Sequence, residues 1–462
     1  MNIIGARRAV SWGAAPALLA SVALLVVLIA ALVGVSSRHG IATGPVLATL
    51  TLGPGANGLA LDTRAGRAIV GGDRGGHAYV VDTRTATLLR TVTIGPALSG
   101  PTANWPMVGP EPIIVVDEQD GRAFVSPPPF GPPPRGLSMI DTGSGRLLAT
   151  IPYAGFSGPW FAVDARSRHL FMLDNPSRSE QVRVYDARGG RLLRVTFFDM
   201  PPFLPSGISW SGDTVPVAVD ARNGRVFVSR QISNAVSMLD APGGRLLRTT
   251  TIAPLPAGAT SINVTSPIVD ERDERVFVAS ADRGTVTTLD ARDGRVLRSV
   301  RLVPYADNPV VDGVTGRVFV AASNGIAMLD ARSGRLESRL SGPSGLPGWG
   351  GPPAIDGATG DVLVADNARR VVDVFDGRRG RLLRMLRAGG DVGGFTVDAP
   401  AGRVYVLSSG YFDPRKRTFT GPALLRVFGE RTGRLLRAIA LGVGSARRVY
   451  IDDWGATRSR IA

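Results

Sequence analysis

Short apolar runs separated by turn residues recur along the chain from about residue 59. One phrase reads VDARNGRVFVS at 219–229, and a second reads MLDAPGGRLLRT at 238–249. In each phrase two apolar runs flank a turn that contains Asp and Gly. An Asp side chain accepts hydrogen bonds from backbone N–H groups two residues further on, and Gly adopts positive φ without strain. Each phrase therefore predicts a β-hairpin.

The pair of phrases recurs eight times, with the first-phrase aspartates 42 to 56 residues apart. These aspartates are Asp62, Asp117, Asp164, Asp220, Asp270, Asp312, Asp356 and Asp398, and Asp452 begins a unit that does not continue. Four strands in each unit of this length are typical of a β-propeller. Runs such as 276–278 are apolar without alternation, as expected of strands covered on both faces.

The sequence therefore predicts an all-β fold, a β-propeller of four-stranded antiparallel blades. We expect eight blades, with seven as the alternative. Partial units at 46–52 and 449–452 flank the complete ones. One end is therefore expected to close the ring by strand exchange.

The N-terminus predicts an export signal or an anchor. Arg7 and Arg8 precede an uncharged stretch at 14–35. Its length suits a spanning helix better than a signal-peptide core, while small residues near Gly34 leave cleavage and secretion open. The expected organisation is a cytoplasmic n-region at 1–13, a transmembrane anchor or signal sequence at 14–35, a linker at 36–45 and a single propeller domain at 46–462, placed outside the cytoplasm.

Composition narrows the chemistry. The chain has no cysteine, which excludes disulfides, thiolate nucleophiles and Cys-based zinc sites. Its three histidines lack metal-ligand spacing and are expected to be structural. Asp117, Asp120 and Gly121 are similar to the start of a calcium loop, but Pro128 stands where the twelfth-position carboxylate belongs. We expect no metal, cofactor or catalytic residue.

The repeat phrase resembles that of the YVTN-type β-propeller family over residues 59–441. Val276–Ala279 and Thr288–Asp290 occupy the places of two of its strand motifs, with Arg in this chain where that family often has Lys or Asn. The resemblance implies a mostly non-catalytic, extracytoplasmic scaffold or surface protein. Some members of the wider superfamily are lactonases or lyases, so a propeller enzyme with an active site at the channel mouth is the alternative.

Propeller geometry predicts where binding takes place. In each blade the first and third turns lie on one face and are short, whereas the remaining connections lie on the opposite face and vary widely in length. Aromatic residues beside Arg or Lys in these connections suit recognition of a protein, peptide or cell-surface polymer. The candidate binding residues are Trp105, Phe130, Arg135, Trp210, Trp349, Tyr411, Arg415, Lys416 and Arg417. Alternatively, the aromatic rings plug the channel or pack beneath Pro-rich loops.

The net charge of +15 comes almost entirely from Arg. Arg222, Arg225, Arg292 and Arg332 lie in the short turns. They form either a positive ring that faces an anionic surface or a set of solvated residues offset by the turn Asp. The expected partners are the membrane, through the N-terminal helix, and a protein, peptide or anionic polymer. We expect no nucleic acid and a monomer.

Overall fold

The computed structural model describes residues 59–443 except for 63, 72–75, 83–86, 96–112, 128–135, 154–159, 175–179, 199–215, 231–233, 253–263, 303–305, 323–324, 341–352, 391, 399–401, 409–410, 414–417 and 421. The predicted N-terminal segments and the partial units at 46–52 and 449–452 lie outside this range. Strand exchange therefore stays a prediction. No helix among the described residues is long and apolar enough to cross a membrane.

Blades 1–4 each contain four strands, called a, b, c and d in chain order. Blade 1 contains β1 (Leu59–Asp62), β2 (Arg67–Gly71), β3 (His77–Asp82) and β4 (Thr87–Thr93). Blade 2 contains β5 (Ile114–Asp117), β6 (Arg122–Val125), β7 (Gly136–Asp141) and β8 (Leu147–Pro152). Blade 3 contains β9 (Trp160–Asp164), β10 (His169–Asp174), β11 (Gln181–Asp186) and β12 (Leu192–Phe197). Blade 4 contains β13 (Val217–Asp220), β14 (Arg225–Arg230), β15 (Ala235–Asp240) and β16 (Leu246–Thr251).

Blades 5–8 repeat this order. Blade 5 contains β17 (Ile268–Asp270), β18 (Arg275–Ser280), β19 (Thr285–Asp290) and β20 (Val296–Arg301). Blade 6 contains β21 (Ala306–Asp312), β22 (Arg317–Ala322), β23 (Gly325–Asp330) and β24 (Leu336–Leu340). Blade 7 contains β25 (Ala354–Ile355), β26 (Asp361–Asp366), β27 (Val371–Asp376) and β28 (Leu382–Arg387). Blade 8 contains β29 (Val392–Asp398), β30 (Arg403–Ser408), β33 (Pro422–Gly429) and β34 (Leu435–Val443), with β31 (Tyr411–Asp413) and β32 (Thr418–Thr420) inserted before its c strand.

The eight blades form a ring, which confirms the predicted all-β propeller and its blade number. Each blade is an antiparallel sheet in which a, b, c and d lie side by side. From blade 1 to blade 8, each a strand contacts the a strand of the next blade, so the a strands surround the centre. The d strands form the exposed outer edge.

The hydrophobic core lies between blades rather than within any one of them. One cluster joins Phe171 and Val184 of blade 3 to Val226 and Leu239 of blade 4. Similar clusters join each described neighbouring pair from blades 1 and 2 to blades 7 and 8. The third residue of the b strand is a fully buried Phe in five blades: Phe124, Phe171, Phe227, Phe277 and Phe319. Each b strand is therefore covered on both faces, as its unbroken apolar run predicts.

The turn aspartates have the predicted structural role. Asp220 Oδ1 accepts the Asn223 N–H at 3.0 Å. Asp290 Oδ1 accepts the Arg292 N–H at 2.8 Å. The seven described first-phrase aspartates are all buried, and each accepts a backbone N–H within its own turn. Burial of these carboxylates is tolerated because the turn supplies the hydrogen bonds that water would otherwise make.

The second-turn glycines bring one blade onto the next. Gly244 has a φ of +64° and packs so closely on blade 3 that a Cβ there would lie 2.5 Å from Val184 Cγ2. A Cβ at Gly380 would lie 2.4 Å from Leu340 Cδ2 of blade 6. Glycine is required at these positions both for the backbone conformation and for the contact between blades.

Substitution of Gly244 should separate these two requirements. We expect Gly244→Ala to lower the free energy of unfolding by about 2–4 kcal/mol, since it adds overpacking to the cost of positive φ. Gly316→Ala is the matched control, because Gly316 has a φ of +68° with nothing within 4 Å of the added Cβ. It should cost about 1–2 kcal/mol. Equal losses in denaturant unfolding would show that the close approach is unimportant.

Candidate functional site

The connections between strands define two faces. The hairpin face comprises the a–b and c–d turns. Each turn spans six residues, counted from its Asp or Gly, as at 220–225 and 240–245. The variable face comprises the b–c loops and the d–a crossovers. Its connections run from as short as 323–324 to as long as 94–113. The predicted contrast between a uniform and an uneven face is therefore present in the architecture.

Most of the predicted binding residues lie outside the described residues. These are Trp105, Phe130, Arg135, Trp210, Trp349, Arg415, Lys416 and Arg417. Tyr411 is the first residue of β31 and pairs with Thr420 of β32. The connection between β30 and β33, at 409–421, therefore contains a two-stranded hairpin.

Trp160 lies directly after a crossover as the first residue of β9 and is only 4% exposed. It packs with Phe198 and Val217 in the cluster between blades 3 and 4. This tryptophan is therefore part of the apolar core between blades and not of the variable face.

On the hairpin face, the two phrases of one blade interlock. Arg122, at the start of strand b, donates to Asp141 Oδ2 at the end of strand c, with a distance of 2.8 Å. Arg275 and Asp290 lie opposite each other in the same way, 3.8 Å apart. The Gly-Arg of the first phrase and the Asp of the second thus form one contact, which a separate analysis of each hairpin misses.

Other arginines on this face join neighbouring blades. Arg222 donates to the Glu271 carbonyl at 2.8 Å, and Arg272 donates to the Gly313 carbonyl at 2.8 Å. In the next blade the equivalent position is Val314, which is exposed. Arg222 is therefore more than a solvated turn residue, because its hydrogen bonds connect blade 4 to blade 5.

His169 takes the place of a motif arginine. Arg275 Nε donates to the Arg332 carbonyl of the following blade at 2.9 Å. His169 begins β10 at the equivalent position, and its Nδ1 lies 2.9 Å from the Ala241 carbonyl of the following blade. The imidazole thus joins blades 3 and 4, which supports a structural role for this histidine.

The calcium-like turn is explained by hydrogen bonds within the protein. Asp117 Oδ1 accepts the Gln119 and Asp120 N–H groups, and burial raises the pKa of Asp117. Both Asp120 carboxylate oxygens accept bonds from Arg188 of blade 3, at 2.9 and 3.1 Å, and this contact lowers the pKa of Asp120. No group of His, Asp or Glu within the described ranges is placed to hold a metal ion.

A buried ion pair supports the variable face between blades 3 and 4. Arg230, the last residue of β14, lies 2.9 Å from Glu180, which directly precedes β11, and both side chains are nearly inaccessible. The Arg230 guanidinium also lies 4.9 Å from the centre of the Phe198 ring. The sequence indicates this pair only by an Arg at the end of a b strand, where blades 5 and 6 have Ser280 and Ala322.

Comparison with known protein families identifies the family of this chain. The family model described as outer membrane protein assembly factor BamB matches residues 178–414, which run from just before β11 to just after β31. The chain belongs to this family. No curated protein matches the sequence. The match confirms the propeller that the YVTN-type resemblance implied, although it is the BamB family and not the YVTN family that is matched.

Solved structures share the fold of this BamB-family chain at low sequence identity. BamB from Moraxella catarrhalis is 16% identical, with a TM-score of 0.53, over 76% of this chain and 92% of that one. The computationally designed Ika8 protein is 16% identical, with a TM-score of 0.52, over 79% of this chain and 96% of that one. The C-terminal WD40 domain of Sif2 is 10% identical, with a TM-score of 0.52, over 76% and 92%. These likenesses show the fold alone.

Blade 8 carries an acidic pair at the hairpin face. Glu430 follows β33, is 4% exposed, and hydrogen-bonds through its side chain to Asp356 in the a–b turn of blade 7. In blade 2 the equivalent residue is Thr142, whose hydroxyl donates to Asp62 of blade 1 at 2.5 Å. A carboxyl can make the same donation only while it is protonated. Burial and the hydrogen bond to Asp356 raise the pKa of Glu430 to about 7.

The partner carboxylate remains ionised. Burial acts to raise the pKa of Asp356, but the hydrogen bonds from Glu430, the Thr359 hydroxyl and the Ala358 N–H outweigh it and hold this pKa below its ordinary value. Two buried carboxylates in contact cannot both be charged without strong repulsion. The contact between blades 7 and 8 therefore depends on one retained proton.

Unfolding should become easier as the pH rises through this range. Because the folded-state pKa of Glu430 is above the unfolded value of 4.5, its stabilisation is complete below about pH 4.5 and is lost towards pH 7. The lost free energy should be at most about 3 kcal/mol. In Glu430→Gln the amide donates without titrating, so denaturant unfolding from pH 4.5 to 8 should lose this slope. Glu337→Gln, at the half-exposed partner of Arg317, is the control that should keep it. An identical slope in both variants would contradict the assignment.

Proposed function

We propose that this protein is an extracytoplasmic scaffold that binds another protein through its variable face, held at the membrane by residues 14–35 or secreted after cleavage there. The observation that carries the proposal is the chemical difference between the two faces. On the hairpin face, side chains such as Arg222, Arg275 and His169 connect one blade to the next. On the variable face, the described contact between Arg230 and Glu180 has no equivalent in blades 5 and 6, where Ser280 and Ala322 replace Arg230, and the connections differ in length from blade to blade.

The dimensions of the connections support the same conclusion. Crossovers at 302–305 and 388–391 are short, whereas those at 94–113 and 198–216 are long. Blade 8 inserts the β31–β32 hairpin into its b–c connection, whereas that connection is as short as 323–324 in blade 6 and runs over 126–135 in blade 2. Binding residues concentrate on variable loops that a rigid scaffold positions. The long crossovers are also those that contain Trp105 and Trp210.

Family membership supports a protein as the bound partner. The family is described by an outer membrane protein assembly factor, and assembly requires contact with other proteins. The uncharged segment at 14–35 and the resemblance of the repeat to extracytoplasmic YVTN-type propellers favour a location outside the cytoplasm. Among the described residues, no observation favours the enzymatic alternative.

The proposal is tested by comparing three tryptophans. Trp210→Ala and Trp349→Ala should weaken binding to a partner captured from the envelope fraction by at least about thirtyfold, since a lost aromatic anchor typically costs 2 kcal/mol or more. Their unfolding free energies should stay close to that of the wild type. Trp160→Ala is the control. Its buried ring should cost about 3–5 kcal/mol of stability and leave the affinity of the folded fraction unchanged.

The partner is identified first, by photo-crosslinking from positions 210 and 349 and from position 245 on the hairpin face. The proposal requires a discrete protein adduct from the first two positions. Adducts only from position 245, or Trp210→Ala and Trp349→Ala variants that unfold with unchanged affinity of the remaining folded protein, would overturn it.

A further inference from the structure

The hairpin face is uniform in length around the ring. In every blade the first turn spans six residues from its Asp to the first residue of strand b, as at 164–169 and 312–317. The second turn has the same length, as at 290–295 and 330–335. Short turns of equal length give this face no long loop that would project from it.

In several ion pairs on this face the guanidinium group is much more exposed than its carboxylate partner. The Arg332 side chain is 78% exposed, whereas its partner Asp273 is 9% exposed. Arg379 and Asp376 are 74% and 16% exposed, and Arg245 is 70% exposed against 14% for Asp240. In these three pairs the guanidinium group lies outside and the carboxylate beneath it, whereas Arg122 and Asp141 are 22% and 31% exposed. A guanidinium that gives one bond to a carboxylate has further N–H donors for a second anion.

Apolar side chains surround the same face at its rim. In blades 1–5 and 8 two consecutive apolar residues at the start of the d strand, or one residue after it in blade 1, are both exposed. Leu246 and Leu247 are examples in blade 4, and Leu435 and Leu436 in blade 8. Arg245 precedes the first of these pairs and Arg248 follows it. Apolar residues flanked by arginines are typical of surfaces that lie in a lipid headgroup region.

We propose that the hairpin face lies flat on a bilayer that contains anionic phospholipid. The exposed guanidinium groups bind headgroup phosphates, and the leucine pairs at the rim enter the headgroup boundary. Exposed guanidinium groups with an apolar rim fit a lipid headgroup layer better than a soluble polyanion, because a polyanion offers no apolar region for the leucine pairs. The variable face then points away from the bilayer. This inference does not rest on the proposed partner of the variable face.

The test uses the full chain in vesicles and a single introduced cysteine, which is unique because the sequence has none. An environment-sensitive fluorophore at Leu247→Cys should be quenched by headgroup-labelled nitroxide lipid in vesicles with phosphatidylglycerol. It should not be quenched with phosphatidylcholine alone, and high salt should reverse the effect. The same fluorophore at Thr420→Cys in β32 should stay unquenched. The N-terminal segment is present in every sample, so it does not account for the difference between lipids.

Charge variants sharpen the result. Arg245 and Arg379 contact carboxylates only within their own turns, at 3.7 and 3.6 Å, so changing both to Gln leaves the contacts between blades in place. This double variant should need about tenfold or more additional anionic lipid for half-maximal quenching, since each arginine near such a surface contributes roughly fivefold. Changing Arg301 and Arg387 to Gln, at the ends of two d strands away from the hairpin face, is the matched control and should leave quenching unchanged.

Three outcomes would overturn the proposal. The first is no quenching at Leu247→Cys in either lipid. The second is equal quenching in both lipids, or an equal effect of the two double variants. The third is heparin binding that depends on Arg245 and Arg379 while the fluorophore at position 247 remains unquenched on vesicles. That result would identify a site for a soluble polyanion. If the Arg245 and Arg379 double variant failed to fold, the dependence of the unsubstituted face on lipid and salt would still decide.

Discussion

A propeller blade has two apolar faces and can bury them only against its neighbours. This constraint determines the rest of the structure. The b-strand phenylalanines, such as Phe227 and Phe277, are fully buried because a blade lies on each side of them. The turn glycines, such as Gly244, are needed because a β-carbon would hold two blades apart. A blade on its own would expose these surfaces, so its stability depends on the ring.

The same constraint gives the two faces of the propeller different roles. At several junctions between blades, polar contacts between hairpin turns accompany the apolar ones, as with Arg272 and the carbonyl of Gly313. At some positions that depart from the motif, another side chain makes the contact. His169 replaces an arginine, and Glu430 replaces a hydroxyl donor at the cost of a dependence on pH. On the variable face the connections differ in length from blade to blade.

The fold could be predicted from the sequence because the same pattern of turns and strands recurs in every repeat. Asp220 and Gly224 define a turn, and the apolar run 226–228 defines a strand covered on both faces, in eight similar copies. Contacts between blades were harder to predict from the sequence. Arg222 and Glu271 lie in different repeats, and the sequence does not show which blades their side chains connect. Trp160 shows a related limit, since a residue at the junction of crossover and strand can belong to either, and the structure places it in β9. For the candidate binding residues the sequence supplies composition and position only, and a binding role needs a partner to define it.

Native-state hydrogen exchange on the full chain tests most directly whether contacts between blades hold the protein together. If they do, slow amides in the b and c strands of blades 2–7 should exchange with one common opening free energy and one common denaturant dependence, because no blade can open without exposing its neighbours. The contradictory result is a blade or group of blades that opens separately at low free energy while the others stay protected. That result would mean that stability resides within individual blades.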